Sequence, residues 1–354
     1  MPALQAQALP VFCLCYCRAC HLHWRFTNFT KRTQPVTHST VSPQRRKLLL
    51  GAASMLAAGA APALPALAQG APVIIGVGAD PVFTAFFVAA NEKLFAKHGA
   101  PNVTVQSYTD GGEALNALVA NQVQLGCAGE PTHIVRLSRA ELRPLAVTYQ
   151  SKTYVKLVAR KAITSADKIK KFGIVAGSVS EYVTGLTLKT LNIDAAKVEM
   201  VRSGPPELPA LLARGDIDAY FVWEPWPTLG VQQGGHILMT AGDVGYTSTL
   251  WLSANANWLA ANKEVAGNIL KALAEASEIT RKDPPRAAQS VQAITRIPVP
   301  QTLNSLKDME PIVRDFTDTD LKTANAIGEF LLSKQAIKAP VDMSKILQRG
   351  FYKG

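Results

Sequence analysis

From residue 72 onward, short apolar runs alternate with stretches of helical periodicity, as expected for strands interleaved with helices. Strands are predicted at 73–78, 103–108, 123–128, 145–148 and 155–159. A second series is predicted at 172–176, 198–201, 217–222, 237–239 and 250–253. Phe83, Phe86, Phe87, Ala90 and Leu94 fall on one helical face, and further helices start from Glu113, Glu181 and Glu207. The pattern then turns mostly helical: Val265, Ile269, Leu273 and Ala276 share a face, as do Leu321, Ala324, Ile327 and Leu331. Pro284 and Pro285 after Asp283 separate two helices, since proline suits a first turn and breaks an interior one. The alternation defines an α/β fold.

An internal repeat lies within it. Residues 113–131 can be laid on residues 207–225 without a gap, each running helix, tight turn, buried strand and then Glu-Pro, Glu130-Pro131 and Glu224-Pro225. Each is entered through a turn-rich stretch, Thr109-Asp110-Gly111-Gly112 in one and Ser203-Gly204-Pro205-Pro206 in the other. Two similar βαβ units imply two similarly built lobes with a cleft between them, lined by loops beyond the strand ends.

The chain of 354 residues is long enough for two such lobes. Its formal charge of +11 is largely a property of one end. Seven of the 37 Lys/Arg and none of the 26 Asp/Glu lie in residues 1–70, leaving 30 basic against 26 acidic residues beyond. A basic face for nucleic acid loses its support, and no such partner is expected. Cys13, Cys15, Cys17 and Cys20 stand beside His21 and His23, but their spacing fits no tetrahedral zinc pattern, so neither metal nor cofactor is expected. Cys127, inside an apolar strand, reads as an inert buried thiol.

Residues 1–41 read as an upstream extension, translated or not, because a better start signal follows. Residues 42–68 carry Arg45-Arg46-Lys47, a leucine-led uncharged run and Ala66-Leu67-Ala68, the parts of a signal peptide cleaved near Ala68. The arginine pair before leucines resembles a twin-arginine export signal. A soluble periplasmic chain from about Gln69 is expected, without a spanning segment or an intrachain disulfide.

The string Leu211-Leu212-Ala213-Arg214-Gly215-Asp216-Ile217-Asp218-Ala219, followed by Val222-Trp223-Glu224-Pro225-Trp226, resembles the nitrate, sulfonate and taurine-type substrate-binding proteins of ABC importers. Ile75-Gly76-Val77, Lys93 to Gly99 and Val103-Thr104-Val105 match that family's first βαβ unit. The resemblance implies a type II periplasmic-binding-protein fold, two lobes that close on an interlobe ligand cleft like a Venus flytrap. It implies two crossings, placed near 159–161 and 242–247, so that lobe 1 holds 69–160 plus 246–354 and lobe 2 holds 161–245. The implied partners are a small-molecule ligand and an ABC transporter permease, and a monomer is expected. The fold is shared with binding proteins for thiamine-pyrimidine precursors and with pyrimidine-synthase-like enzymes. A single body cysteine and the lack of a Walker loop, zinc-helix signature or nucleophile elbow favour a binder over an enzyme. A transcription regulator would need DNA-binding helices where the signal peptide stands.

Ser178, Val179 and Ser180 follow Gly177 at a helix start, where N–H groups and the helix dipole suit an anion; either serine also reads as an ordinary N-cap. Gly111 and Gly112 hold the equivalent place in the first lobe, although Asp110 would repel an anion and reads as a cap. Glu130 and Glu224 end their strands, either as partners of a helix dipole or as cleft groups, with Thr132 following the first. The resemblance puts Glu224 by the cleft, as the partner of a ligand cation. Asp80 follows the first strand, and Phe83, Trp223 and Tyr246 are candidate aromatic walls. His98 and His236 read as turn residues; His133, after Glu130-Pro131-Thr132, reads either as a ligand-facing residue or, in preference, as an exposed helix position. Anion complement and carboxylate together point to a zwitterion or polar acid, with a taurine-like aminosulfonate as the leading expectation.

Overall fold

The computed structural model describes residues 71–354; the cysteine-rich segment, the arginine pair and the cleavage site lie outside the described residues. Strands β1 (Val73–Gly78), β2 (Val103–Tyr108), β3 (Leu125–Gly129), β4 (Leu142–Ser151) and β5 (Lys156–Arg160) come first. They are followed by β6 (Lys171–Ile174), β7 (Glu199–Arg202), β8 (Ala219–Val222), β9 (Gly235–Thr240), β10 (Ser248–Asn255) and β11 (Glu310–Arg314).

Two sheets result, in the orders β11-β4-β10-β3-β1-β2 and β7-β6-β8-β5-β9. In the first, β1 runs parallel to β2 and β3, and β10 lies antiparallel between β3 and β4. In the second, β6 runs parallel to β7 and β8, and β5 lies antiparallel between β8 and β9. The repeat seen in residues 113–131 and 207–225 thus extends to whole sheets: β2-β1-β3-β10-β4 corresponds to β7-β6-β8-β5-β9, and β11 is an added edge. β3 and β8 lie inside their sheets, each between one parallel and one antiparallel neighbour, and are buried nearly throughout, so they read as apolar runs without polar alternation.

The chain passes to the second sheet through 152–155 and returns through 241–247. Backbone bonds tie the two crossings together, Ala241 N–H to Val155 O at 2.9 Å and Gly242 N–H to Lys152 O at 2.7 Å. The first crossing therefore precedes the expected 159–161. β5 belongs to the second sheet, with Lys156 opposite both Val222 and Thr240. The apolar content of β5 cannot reveal which sheet it joins.

β11 occupies a stretch that reads as helical in sequence. It pairs with β4 alone, at an edge, where Pro311 removes no interior ladder bond. The helices Lys263–Lys282 and Pro284–Thr295 cover helix Thr84–Asn91 on the first lobe, so the C-terminal part completes the lobe that the N-terminal part begins. Helix Asp318–Ser333 packs on Glu130–Leu137 and reaches Val179–Thr190, where Phe330 sits edge-on to Tyr182 at 5.3 Å. One apolar core continues through these helices from lobe to lobe.

Candidate functional site

A cavity of about 240 Å³ opens between the lobes. Asp80, Phe83, Gly111, Gly112, Thr132 and Arg136 line it from the first lobe, and Ser178, Val179 and Trp223 from the second. Local chemistry explains each placement. Asp80 accepts from Val82 N–H at 3.2 Å and caps the short turn Pro81–Phe83. Asp110 accepts from Glu113 N–H at 3.0 Å and caps helix Gly111–Val119. Gly111 is required there, since a Cβ would lie 2.9 Å from that of Ala128. Ser178 accepts from Ser180 N–H at 3.1 Å and caps helix Val179–Thr190, while Gly177 supplies the left-handed turn at φ +67°.

Two helices therefore aim their starts at one space from opposite lobes. Their first-turn N–H groups have no partners within the helix, and both dipoles favour negative charge there. Arg136 adds a full cation. It lies four residues after Thr132 on helix Glu130–Leu137, and its guanidinium is held by Asn116 Oδ1 at 3.1 Å and Gly112 O at 3.3 Å. Asp80 supplies the opposite chemistry. Burial pushes its carboxyl up to about 8, the Val82 N–H works against this, and the charge of Asp110 adds to it. At neutral pH this carboxyl holds a proton that it can donate, or surrender when a cation arrives.

Four expected residues lie elsewhere. Glu224 is 1% exposed and spent on Lys156 Nζ at 2.8 Å, which also binds Asp308 at 2.6 Å. It therefore does not face the ligand space, contrary to expectation. Glu130 accepts from the Tyr246 hydroxyl at 2.9 Å and Thr249 N–H at 3.0 Å, so these two side chains occupy each other rather than the cavity. Ser180 is fully buried, its Oγ accepting from Val175 N–H at 3.1 Å.

His133, expected on an exposed face, is fully buried against Trp251, with ring centroids 5.7 Å apart. Burial pushes its pKa down to about 3, which keeps the ring neutral. Cys127 is buried beside Thr148 Oγ1 at 3.4 Å, and burial pushes its thiol up to about 12. Cavity residues that the sequence reading missed include Arg136, Tyr149, Tyr154 and Ser248. Arg136 had a signal, its four-residue spacing from Thr132 on one helical face. Tyr149 lies near the end of β4 and Tyr154 within the first crossing, so nothing local to them points to a cleft.

Two α/β lobes, joined by two crossings and enclosing a cleft, constitute the periplasmic-binding-protein fold. The NMT1-like family matches residues 68–295, and the chain belongs to that family. It is 26% identical over 161 residues to the taurine-binding periplasmic protein of Escherichia coli (strain K12), 45% of this chain and 50% of that protein. The match thus spans half the length of that relative. An aliphatic sulfonates-binding protein of the same organism is 23% identical over 266 residues, 73% of this chain and 81% of that one. The crystal structure of the aliphatic sulphonate binding protein SsuA from Escherichia coli superposes with a TM-score of 0.70 at 18% identity, covering 80% of this chain and 94% of that one. The desulfurization enzyme DSZB also shares the fold, with a TM-score of 0.59 at 15% identity over 79% of this chain and 97% of that one.

Proposed function

We propose that the chain is the extracytoplasmic substrate-binding protein of an ABC importer, and that its ligand is a small sulfonate, an aminosulfonate of the taurine type leading. The observation that carries this is the meeting of Arg136 with two helix starts, one from each lobe, around a single cavity. A sulfonate presents three oxygens to such donors and needs no proton from the protein. The amine partner moves from Glu224 to Asp80, the buried carboxyl that lines the cavity. Relatives named for taurine and aliphatic sulfonates support the same class.

Binding is favoured over catalysis. Cys127 is a protonated buried thiol and His133 a neutral buried ring; neither lines the cavity, and among the described residues no cluster fit to hold a metal occurs. No described helix is long and apolar enough to cross a membrane, and export rests on the signal read in residues 42–68. A thermal-shift screen with taurine, alkanesulfonates, nitrate, aromatic acids and pyrimidines tests the class, since a ligand that binds the folded state raises the melting temperature by mass action. Stabilisation by pyrimidines alone would favour the thiamine-precursor reading instead. Small-angle scattering with the best hit should show a smaller radius of gyration, because neither lobe alone surrounds the ligand.

A further inference from the structure

Asp80 after β1, Tyr149 near the end of β4 and Tyr154 in the first crossing all line the cavity, and both tyrosines are only 1% exposed. The two tyrosine rings stand edge-on with centroids 5.7 Å apart, which fixes them against each other. A break in strand register sets the pose of Tyr149. β10 shifts against β4 between Leu250 and Trp251, and β11 between Pro311 and Arg314, so β4 is irregular on both sides between Val147 and Tyr149. Such an irregularity re-aims a side chain.

The buried phenols differ in their partners. Tyr154 donates to Glu224 O at 3.4 Å, and Tyr246, which does not line this cavity, donates to Glu130 at 2.9 Å. The Tyr149 hydroxyl has no hydrogen-bond partner. Ser151 lies close to it, but the serine hydroxyl already donates to Asp308 O and accepts from the N–H groups of Thr153 and Tyr154. Asp80 is underused as well. Val82 N–H is its one protein donor among the described residues, and a carboxyl can accept more. An unpaired buried phenol destabilises the free protein, which marks it as reserved for a ligand.

We propose that Tyr149 is the specificity residue for the ligand's second polar group: its hydroxyl oxygen, together with the Asp80 carboxyl, accepts the ammonium of an aminosulfonate. This rests on the sulfonate reading and deepens it, because it names what separates an aminosulfonate from a plain alkanesulfonate at this site. Burial above all, with the charge of Asp80 adding to it, holds the Tyr149 and Tyr154 phenols well above the usual tyrosine range, so both stay neutral. A neutral phenol oxygen is free to accept from a cation. Phe83 and Trp223 line the same cavity and add aromatic wall that favours one. A plain alkanesulfonate would displace water from this corner and leave phenol and carboxyl unpaired, the strongest ground a site has for rejecting an analogue.

Tyr149→Phe keeps the ring and removes only the hydroxyl. Calorimetry compares taurine with ethanesulfonate, which lacks the amine, on wild type and variant. Taurine should weaken about tenfold or more, the scale of a hydrogen bond to a charged group, while ethanesulfonate should hold or improve. The melting temperature of the free variant should stay level or rise, because the hydroxyl removed was unpaired. Tyr246→Phe, which removes a paired hydroxyl, should lower it. Equal losses for the two sulfonates, or no loss for either, overturn the proposal and leave the sulfonate reading standing. A free-protein melting temperature lowered as in Tyr246→Phe also overturns it, since the hydroxyl would then serve the fold. Binding of neither sulfonate to wild type overturns both.

Discussion

Arg136 donates to the carbonyl of Gly112 at 3.3 Å, which ties the guanidinium of the cavity to the first turn of a helix that points into the same space. Cation and helix start thus act as one unit on an anion. Arg136→Gln should weaken a bound sulfonate by about 1.5–3 kcal/mol, the scale of a hydrogen bond to a charged group. Calorimetry with taurine checks it, and the melting temperature of the free protein should move little. An unchanged affinity would remove Arg136 from the site.

Glu224→Gln should do the reverse. It leaves Lys156 against Asp308 alone, so stability should fall by about 1–3 kcal/mol, less than for a buried pair broken outright. Taurine and a purely anionic sulfonate should bind with the same ratio as before. A selective loss of taurine in calorimetry would put Glu224 back beside the ligand.

Asp80 makes stability depend on pH. Its folded value of about 8 lies above the ordinary 3.8, so the folded state holds the proton more tightly. That contribution is full below the ordinary value, declines as pH rises and is lost above the folded value. Glu130 declines in the same direction over a narrower window, so the difference between wild type and Asp80→Asn isolates Asp80. Urea unfolding should show the variant gaining at least about 1 kcal/mol on wild type between about pH 5 and pH 9. A constant difference would mean that Asp80 is hydrated.

Changing both Arg45 and Arg46 to Lys should leave precursor inside the cell and abolish mature protein starting near Gln69. Immunoblots of cell fractions read this directly. Efficient export of the double variant would assign the general secretory route.

Much of the architecture was legible because strand and helix periods are local properties. The gapless repeat, ending in Glu130-Pro131 and Glu224-Pro225, even anticipated the matching strand orders of the two sheets. Asp110 and Ser178 cap their helices as their residue types suggest, and both line the cavity as well. What pairing decides was not legible: β5 joins the second sheet, and β11 forms an edge of the first with a proline inside it. The carboxylates show the same limit. Position at a strand end fits Glu224 for a ligand, yet Lys156, 68 residues earlier in the chain, takes it. His133 looked exposed because its neighbours Thr132 and Arg136 are polar, but those two face the cleft and the ring turns inward onto Trp251.

The order of the strands also sets the order of their completion. All five strands of the second sheet come from the uninterrupted stretch 156–240, whereas both neighbours of β4 in the first sheet, β10 and β11, come after residue 247. During synthesis the second sheet is finished while β4, ten residues long and mostly buried in the final protein, has no partner on either side. Such an edge is a template for pairing with another chain. A product truncated just before residue 248 would therefore carry one finished lobe and one aggregation-prone strand, so damage in this region should appear as insolubility rather than as weak binding.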